Sequence, residues 1–356
     1  MNRRARAGVA LAVVALPVLS AACGDDDESG GVVTMVVYDS YPDDSADEPN
    51  PLQLALDEFT TDTGIEVELL KSQDAGTMLS KAVLTAGNPE GDVMWGVDNT
   101  LLSRAIEARV FDSYTSSAVA ALDPRFTSLV PDGEATPVDY GDVCVNYDIA
   151  ALQAAGLQPP TSFEQLAQPQ YASRFVVENA ATSSPGLAFL LATIAQLGEG
   201  GWEQYWTQLA DNGVLVVDGW NEAYYSAFTR AGGDRPLVVS YGSSPPFEVV
   251  YAAEPMTEAP TGVVSDTCFR QVEFAGVLRG TDNPDGSRRL IDFLLSERYQ
   301  REVALNLFVF PVNPTVALDP AFEQYATIPA DPLTLDPAVI DANREEWIDR
   351  WTEIVS

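Results

Sequence analysis

Short β-branched runs alternate with amphipathic segments along most of the chain, and this alternation restricts the fold more than any other feature of the sequence. Strands are predicted at 32–38, 65–70, 92–97, 144–147, 174–177, 214–217, 237–241 and 267–277. Helices are predicted at 51–63, 77–85, 101–108, 162–166, 186–197, 202–210, 222–229, 287–295, 297–306 and 336–355. Such alternation predicts a parallel sheet with helices on its faces. We therefore expect an α/β protein of two lobes joined by strands.

The N-terminus predicts export. Arginines within the first six residues precede an apolar run, and small residues then lead into Cys23. This order is typical of a secretory signal peptide over 1–22. Cys23 is placed like the lipidated cysteine of a bacterial lipobox, although Leu19 lies one position further upstream than usual. We expect residues 23–31 to be a lipidated cysteine and a flexible, charged tether. An ordinary signal peptidase site with an incidental cysteine is the alternative.

Two cysteines remain once Cys23 is assigned to lipid. They are Cys144 and Cys268, and the oxidising environment of an exported protein predicts that they form a disulfide. A bridge across so long a loop is worth roughly 4–5 kcal/mol as an upper figure in the chain-entropy treatment. Two buried free thiols are the alternative.

Charge and histidine content exclude several classes of function. The chain has 53 acidic and 19 basic residues, a net charge of −34 and no histidine. Nucleic acid is excluded as a partner because phosphate binding needs a basic face, whereas an acidic protein attracts cationic ligands. The absence of histidine excludes Ser-His-Asp and Cys-His nucleophile systems and His-ligated metals. Without a phosphate-binding or dinucleotide motif, we expect a non-enzyme with no cofactor and no metal.

Polar and aromatic residues follow several predicted strands, where open α/β sheets bind ligands. These residues are Tyr38, Asp39, Ser40, Asp98, Ser183, Pro185, Trp220, Tyr224, Tyr241 and Phe247. Ser184 is predicted as a helix N-cap with Pro185 at the first helical position, so this helix should present free N–H groups. Gly76 lies at a second predicted helix start and offers the same chemistry. Helix capping and core packing are the alternative roles for all of these residues.

The order of the motifs resembles that of a known family. The motifs YDS (38–40), GVDN (96–99), DYG (139–141), TSSPG (182–186), GWNEAY (219–224) and SY (240–241) followed by SP (244–245) are similar to those of the periplasmic thiamine-binding proteins of bacterial ABC importers. The resemblance runs from about residue 33 to 351. It implies a type II periplasmic-binding fold with hinge strands and a ligand in the inter-lobe cleft. We expect one lobe at 32–140 plus 266–315 and the other at 141–265 plus 316–356.

The resemblance also implies roles for single residues. Tyr38 corresponds to the tyrosine beside the aminopyrimidine, and Trp220 and Tyr241 correspond to cleft aromatics. Gly76 and Ser183 correspond to positions near the hydroxyethyl or phosphate end. Two further ligand-binding candidates depart from the family pattern, because Phe247 stands where the family has tyrosine and Phe308 where it has tryptophan. The rings are kept, but a hydroxyl and an indole N–H are lost, so thiamine, its phosphate and a pyrimidine breakdown product remain alternative ligands.

The chemistry of thiamine suits these residues. Its thiazolium carries a permanent charge and no N–H, so aromatic faces can hold it at roughly 1–2 kcal/mol per desolvated contact. The exocyclic amine of the pyrimidine is a donor that Asp39 or Asp98 would accept.

These inferences together predict a monomeric receptor, in the periplasm or lipid-anchored to the outer face of the cytoplasmic membrane, that delivers a small cationic ligand to an ABC permease. A ferric-ion binder is one alternative, suggested by the adjacent Tyr224 and Tyr225. An extracellular thiamine-degrading enzyme is the other, and it would require Cys144 or Cys268 as a free nucleophile.

Overall fold

The computed structural model describes residues 30–43 and 49–356. The predicted signal peptide, Cys23 and most of the predicted tether lie outside the described residues. Within those ranges, no helix is both long enough and apolar enough to cross a membrane. The strands are β1 (Val32–Val37), β2 (Glu66–Lys71), β3 (Val93–Asp98), β4 (Phe111–Asp112), β5 (Thr136–Asp148), β6 (Phe175–Glu178), β7 (Leu215–Val217), β8 (Leu237–Tyr241), β9 (Thr261–Leu278) and β10 (Phe310–Pro311).

These strands form one mixed sheet with the order β2-β1-β3-β9-β5-β8-β6-β7, in which β10 pairs with β5 and β4 with β9. The two outer groups, β2-β1-β3 and β8-β6-β7, are parallel, in agreement with the predicted alternation. The long central strands β5 and β9 are antiparallel to each other and to their outer neighbours. The sheet is therefore not parallel throughout, because two long strands carry the chain between its halves.

Helices cover both faces of this sheet. They are α1 (Pro51–Thr63), α2 (Ala75–Leu84), α3 (Leu102–Glu107), α4 (Pro124–Thr127), α5 (Ile149–Ala154), α6 (Phe163–Leu166), α7 (Ser184–Leu197), α8 (Trp202–Asp211), α9 (Trp220–Glu222), α10 (Pro245–Val250), α11 (Pro284–Leu294), α12 (Glu297–Leu307), α13 (Pro320–Tyr325) and α14 (Pro337–Val355). The longer ones lie where the sequence predicts them. The short helices α4, α5, α10 and α13 were not predicted, because four to six residues are too few to show a helical period.

Local signals explain the first helix. The Asn50 side chain accepts a hydrogen bond from the Leu52 backbone N–H, Pro51 occupies the first turn, and Gly64 ends the helix with a left-handed φ of 71°. Leu52, Leu56 and Phe59 are buried, as their spacing predicts. Because the helix buries only this stripe, it packs on one face of the sheet.

One helix prediction is wrong. Residues 222–229 do not form a continuous α-helix: α9 passes into a π-helical turn at Ala223–Ala227, and a 3-10 turn follows at Thr229–Ala231. The wider turn places Tyr224 in the core, where its ring stacks on that of Trp220 with centroids 4.9 Å apart. Tertiary packing of two aromatic rings has therefore overridden the local helical period.

The core lies on both sides of the central strands. Helix α7 is apolar on all sides and is buried from Ser184 to Ile194. The C-terminal helix α14 covers this region, and Trp351 packs edge-on against Trp206 of α8 at 5.4 Å. A second apolar cluster, which includes Leu56 and Trp95, fills the opposite face. Such double coverage buries the central strands on both faces.

The predicted disulfide is present. Cys144 in β5 and Cys268 in β9 are bonded, with their Cα atoms 4.2 Å apart and 124 positions between them in the chain. Both residues are buried. The bridge therefore joins the two strands that connect the halves of the sheet.

Candidate functional site

A cavity of about 500 Å³, part of it open to solvent, lies between the two halves of the sheet. Six of the predicted ligand-binding residues line it: Tyr38, Ser40, Pro185, Trp220, Tyr241 and Phe308. They come from strand ends and helix starts on both sides of β5 and β9, so the fold brings together positions that are far apart in the chain.

The other predicted residues lie near the cavity without lining it. Asp39 and Phe247 line a wider neighbouring groove that shares Ser40 and Phe308 with the cavity. Gly76, Asp98, Ser183 and Tyr224 are buried behind the walls. The Ser183 hydroxyl oxygen is buried and lacks a hydrogen-bond partner among the described residues. These four therefore support the cavity walls in this conformation.

One wall of the cavity is aromatic. The Trp220 ring stacks on Tyr224 with an interplanar angle of 12°, and its Nε1 donates to the Ser240 hydroxyl oxygen at 3.0 Å. Phe308 lies 6.1 Å from Trp220 and is held edge-on by Phe247 at 4.2 Å. Trp220 is thus fixed by stacking and by one hydrogen bond, and it presents a rigid face to the cavity.

The backbone of Phe308 is in the left-handed region, with φ of 60° where α12 ends. A residue with a side chain rarely adopts this conformation, which costs roughly 1–2 kcal/mol. The Ser243 hydroxyl donates to the Phe308 carbonyl oxygen and so holds the turn in place. This geometry directs the chain so that Phe308 lines both the cavity and the outer groove.

Two tyrosines, Tyr38 and Tyr241, also line the cavity, and a glycine makes room for each. Tyr38 packs on Gly96, which has φ of 102° and whose Cα position leaves no space for a side chain. A Cβ at Gly141 would lie 3.1 Å from the ring of Tyr241. The Tyr38 hydroxyl donates to Oε2 of Glu273 at 3.2 Å. The glycines of the GVDN and DYG motifs therefore position the two tyrosine rings.

Asp74 is a cavity-lining residue that the sequence analysis missed. Its Oδ1 accepts hydrogen bonds from the backbone N–H of Ala75 at 2.7 Å and of Ser184 at 3.2 Å, and its Oδ2 accepts from that of Trp220 at 3.1 Å. The carboxylate therefore connects the start of α2 to the starts of α7 and α9. Burial raises the pKa of Asp74 to about 6, although the three donors oppose this shift.

This arrangement corrects the predicted helix starts. Ser183, not Ser184, is at the N-cap position of α7, and its side chain makes no capping bond. The Ser184 N–H is not free, because Asp74 accepts it. Helix α2 begins at Ala75, and a Cβ on Gly76 would lie only 2.6 Å from the Thr182 carbonyl oxygen. Gly76 therefore permits close packing of the two helix starts.

A row of three carboxyls runs beneath the cavity. Glu273 in β9 is the cross-strand partner of Asp98 in β3 on one side and of Asp139 in β5 on the other. The exposed fraction is 4% for Glu273 and 0% for both Asp98 and Asp139. Of the three, only Glu273 lines the cavity. Burial, followed by the charge of Asp98, raises the pKa of Glu273 to about 8.

The side chain of Asp98 has a structural role. Its Oδ1 accepts from the Thr100 N–H, the Thr100 hydroxyl and the Leu101 N–H, and its Oδ2 accepts from the Ser184 hydroxyl and the Gln271 amide. These donors occupy both oxygens. Asp98 therefore joins β3 to α7 and β9 instead of facing the cavity.

Sequence signals existed for some of the missed residues. Asp74 follows β2, so the rule that ligands lie beyond strand ends also applies to it. Glu273 directly precedes the apolar run FAGVL at 274–278 in β9, and an acidic residue beside such a run indicates a buried charge. Asn306 and Val309, which also line the cavity, lie near a helix end and carry no such signal.

The adjacent tyrosines 224 and 225 are arranged for packing. The Tyr224 hydroxyl donates to Oε1 of Glu248 at 2.9 Å, and the two tyrosine rings are perpendicular at 5.6 Å. Burial and the charge of Glu248 raise the pKa of Tyr224 well above its usual value. A ferric ion binds phenolates, and this environment opposes phenolate formation.

Comparison with known proteins extends these observations. The profile of the family described as "Bacterial extracellular solute-binding protein" matches residues 55–330. The thiamine-binding periplasmic protein of Escherichia coli (strain K12) is 30% identical over 325 residues, which are 91% of this chain and 94% of that protein. Iron uptake protein A1 of a Synechocystis species is 23% identical over 80% of each chain.

The solved structure of a periplasmic thiamin binding protein is 28% identical, with a TM-score of 0.78 over 91% of this chain and 96% of that one. This likeness and the family match confirm the predicted α/β periplasmic-binding fold and the resemblance on which it was based.

Proposed function

The chain belongs to the bacterial extracellular solute-binding protein family, and we propose that its cavity captures thiamine, or thiamine phosphate, for delivery to an ABC importer. One observation carries this proposal: aromatic side chains and the buried carboxyls of Asp74 and Glu273 line the same cavity. Neither lysine nor arginine is among the described residues that line it. Such a site suits a small aromatic cation.

The aromatic wall suits the thiazolium ring. Trp220 is only 6% exposed and is fixed by Tyr224 and Ser240, so a ring placed on it is desolvated. A cation on a desolvated aromatic face gains about 2 kcal/mol. Phe308 and Tyr241 complete the wall. Because phenylalanine keeps the ring, the departures at Phe247 and Phe308 preserve stacking.

The carboxyls suit the aminopyrimidine. We assign the acceptor of its exocyclic amine to Glu273, because this carboxyl lines the cavity next to Tyr38. Asp98 is not available for that role, since five donors already occupy its oxygens. Asp39 lies in the outer groove. There it can meet a part of the ligand that extends past Ser40.

We also propose how the receptor is divided into lobes, how a permease recognises it and where it is located. Two of the three proposed lobe boundaries fall within β5 and β9, the long strands that join the halves of the sheet, and the third follows β10. Closure of the lobes on the ligand would present a surface that a permease recognises. We propose a non-catalytic monomer, exported and anchored through Cys23. The bridge between Cys144 and Cys268 supports the non-enzymatic assignment, because it removes the two thiols as nucleophiles.

Calorimetric titration tests the ligand. Purified protein is titrated with thiamine, thiamine phosphate, the isolated aminopyrimidine and ferric citrate. We expect micromolar or tighter binding of thiamine or its phosphate and weaker binding of the aminopyrimidine, which lacks the cation. Binding of ferric citrate with a visible phenolate–iron band, and of none of the organic ligands, would replace this proposal with the iron alternative.

A further inference from the structure

The three carboxyls beneath the cavity, Asp98, Glu273 and Asp139, are aligned across three adjacent strands. Glu273 is in register with Asp98 on one side and with Asp139 on the other. Like charges directly opposite each other on neighbouring strands destabilise a sheet. Burial increases this cost, because the charges are removed from water. The row therefore requires a proton or a cation to neutralise it.

The hydrogen bonds show where a proton is held. Asp98 has its full set of donors, and Glu273 accepts from the Tyr38 hydroxyl. Neither oxygen of Asp139 has a donor among the described residues. Asp139 and Glu273 interact side chain to side chain, and two carboxyls can share a hydrogen bond only when one of them is protonated. Asp139, which has no donor and lies in register with Glu273, is therefore the carboxyl of the row that most needs a proton.

No lysine or arginine is among the described residues that line the cavity above the row. The titratable groups that interact with the row include Tyr38, Tyr241, Tyr299 and Asp74. Each of these is neutral or negative at neutral pH. Arg270, three positions before Glu273, is ion-paired with Asp142 at 2.7 Å. The cavity above Glu273 is consequently the place from which a positive charge can reach the row.

We propose that the row of Asp98, Glu273 and Asp139 binds a proton when the cleft is empty and releases it when a cationic ligand enters, so that ligand binding and proton release are coupled. This inference rests on the proposed function, because it requires a cation in this cavity. The exchange is balanced: the ligand brings one positive charge into the site, and one proton leaves to solvent. A neutral ligand of the same shape leaves the proton in place.

The pKa directions agree with this geometry. Burial raises the pKa of Asp139 well above its usual range, and the pKa of Glu273 rises to about 8 from the same cause. The empty row is therefore protonated near neutral pH. A cation beside Glu273 favours the ionised form and lowers the pKa of the pair. Affinity should then increase with pH, by up to about tenfold per unit below about pH 8, and level off above it.

Calorimetry in buffers of different ionisation enthalpy measures the released proton. We expect about one proton released per thiamine near neutral pH and none for the neutral thiophene analogue of thiamine. Asp139→Asn should reduce the number of protons released and flatten the pH dependence of affinity, because the amide donates to Glu273 and opposes the rise in its pKa that burial and Asp98 cause. Asp211→Asn, which removes an exposed carboxyl at the end of α8, is the control and should behave as the wild type.

Two results would overturn the inference. The first is thiamine binding without proton release; the second is unchanged release in a folded Asp139→Asn variant. Infrared spectroscopy of the ligand-free protein provides a separate test, because a protonated buried carboxyl has its own C=O band. At neutral pH that band should be stronger in the wild type than in Asp139→Asn, because the other buried carboxyls, such as Glu178, contribute equally to both proteins. If thiamine fails to bind, the proposed function fails, whereas the infrared band still decides whether the empty row holds a proton.

Discussion

The carboxylate of Asp74 joins the two sides of the cavity, since its Oδ1 lies 3.2 Å from the backbone nitrogen of Ser184, 110 positions further along the chain. Its other oxygen accepts the Trp220 N–H. A single side chain therefore connects the α2 side of the cleft to the helix and the aromatic residue on the opposite side. The Thr77 N–H donates to the Thr182 carbonyl oxygen beside it. These contacts tie the two sides of the cleft together.

Replacing Asp74 should open the cleft. Asp74→Ala removes an acceptor from three buried N–H groups, which costs roughly 1–3 kcal/mol for each group left unpaired. We expect at least a tenfold loss of affinity for thiamine and a larger radius of gyration by small-angle scattering. Asp336→Ala is the matched control, because Asp336 caps α14 within one side of the fold. It should lower stability and leave affinity unchanged; equal losses of affinity in both variants would contradict the role of Asp74.

Trp220 should contribute much of the binding free energy for the ligand. Trp220→Ala removes the stacking face, and we expect binding to fall below detection by calorimetry. Because deletion of a buried tryptophan costs about 3–5 kcal/mol of stability, Trp220→Phe is the companion variant. It keeps a ring against Tyr224 but loses the hydrogen bond to Ser240, so weaker but measurable binding is expected. Unchanged affinity in a folded alanine variant would place the ligand on another wall.

The ligand-free protein should lose stability as pH rises. The buried carboxyls of Asp74 and Glu273 have pKa values raised to about 6 and about 8 by burial, and that of Glu178 is raised well above its usual value. In the unfolded chain they titrate near pH 4, so the folded state binds more protons between about pH 4 and 8. The free energy of unfolding therefore falls as pH increases through this window.

Thermal unfolding at several pH values measures this trend. The midpoint should decrease from about pH 5 to pH 8. Glu178→Gln should flatten the curve, because neither carboxylate oxygen of Glu178 has a partner among the described residues. A midpoint that rises with pH in the wild type would show that the buried acids are ionised in the folded protein.

The disulfide should stabilise the fold without taking part in binding. The double variant Cys144→Ala, Cys268→Ala should unfold at lower denaturant concentration, with a loss of about 2–5 kcal/mol. The bonded pair is buried between β5 and β9 and does not line the cavity, so affinity for thiamine should change by less than about threefold, within the range of an indirect packing effect. Reductant should destabilise the wild type only. Loss of binding in a stable double variant would instead connect the bridge to the cleft.

Much of the fold was predictable because its signals are local. The longer helices and the outer strands follow hydrophobic periods, and caps such as Asn50 and Gly64 define their ends. The cavity aromatics Tyr38, Trp220 and Tyr241 follow from their motifs, and the bridge follows from cysteine count and export. The predictions at 222–229 and at the start of α7 failed where long-range contacts decide, since Tyr224 packs on Trp220 and Asp74 accepts the Ser184 N–H.

The sequence by itself determined the α/β class, the family and the aromatic character of the site, because composition, period and motif order are properties of the chain alone. Only the tertiary structure decided which carboxyl of Asp98, Glu273 and Asp139 lines the cavity. Register places Glu273 between Asp98 and Asp139, and strand register depends on pairing between segments more than a hundred residues apart. For the same reason, Asp98 became a structural acceptor, and Asp74, which no motif had marked, became the connection across the cleft.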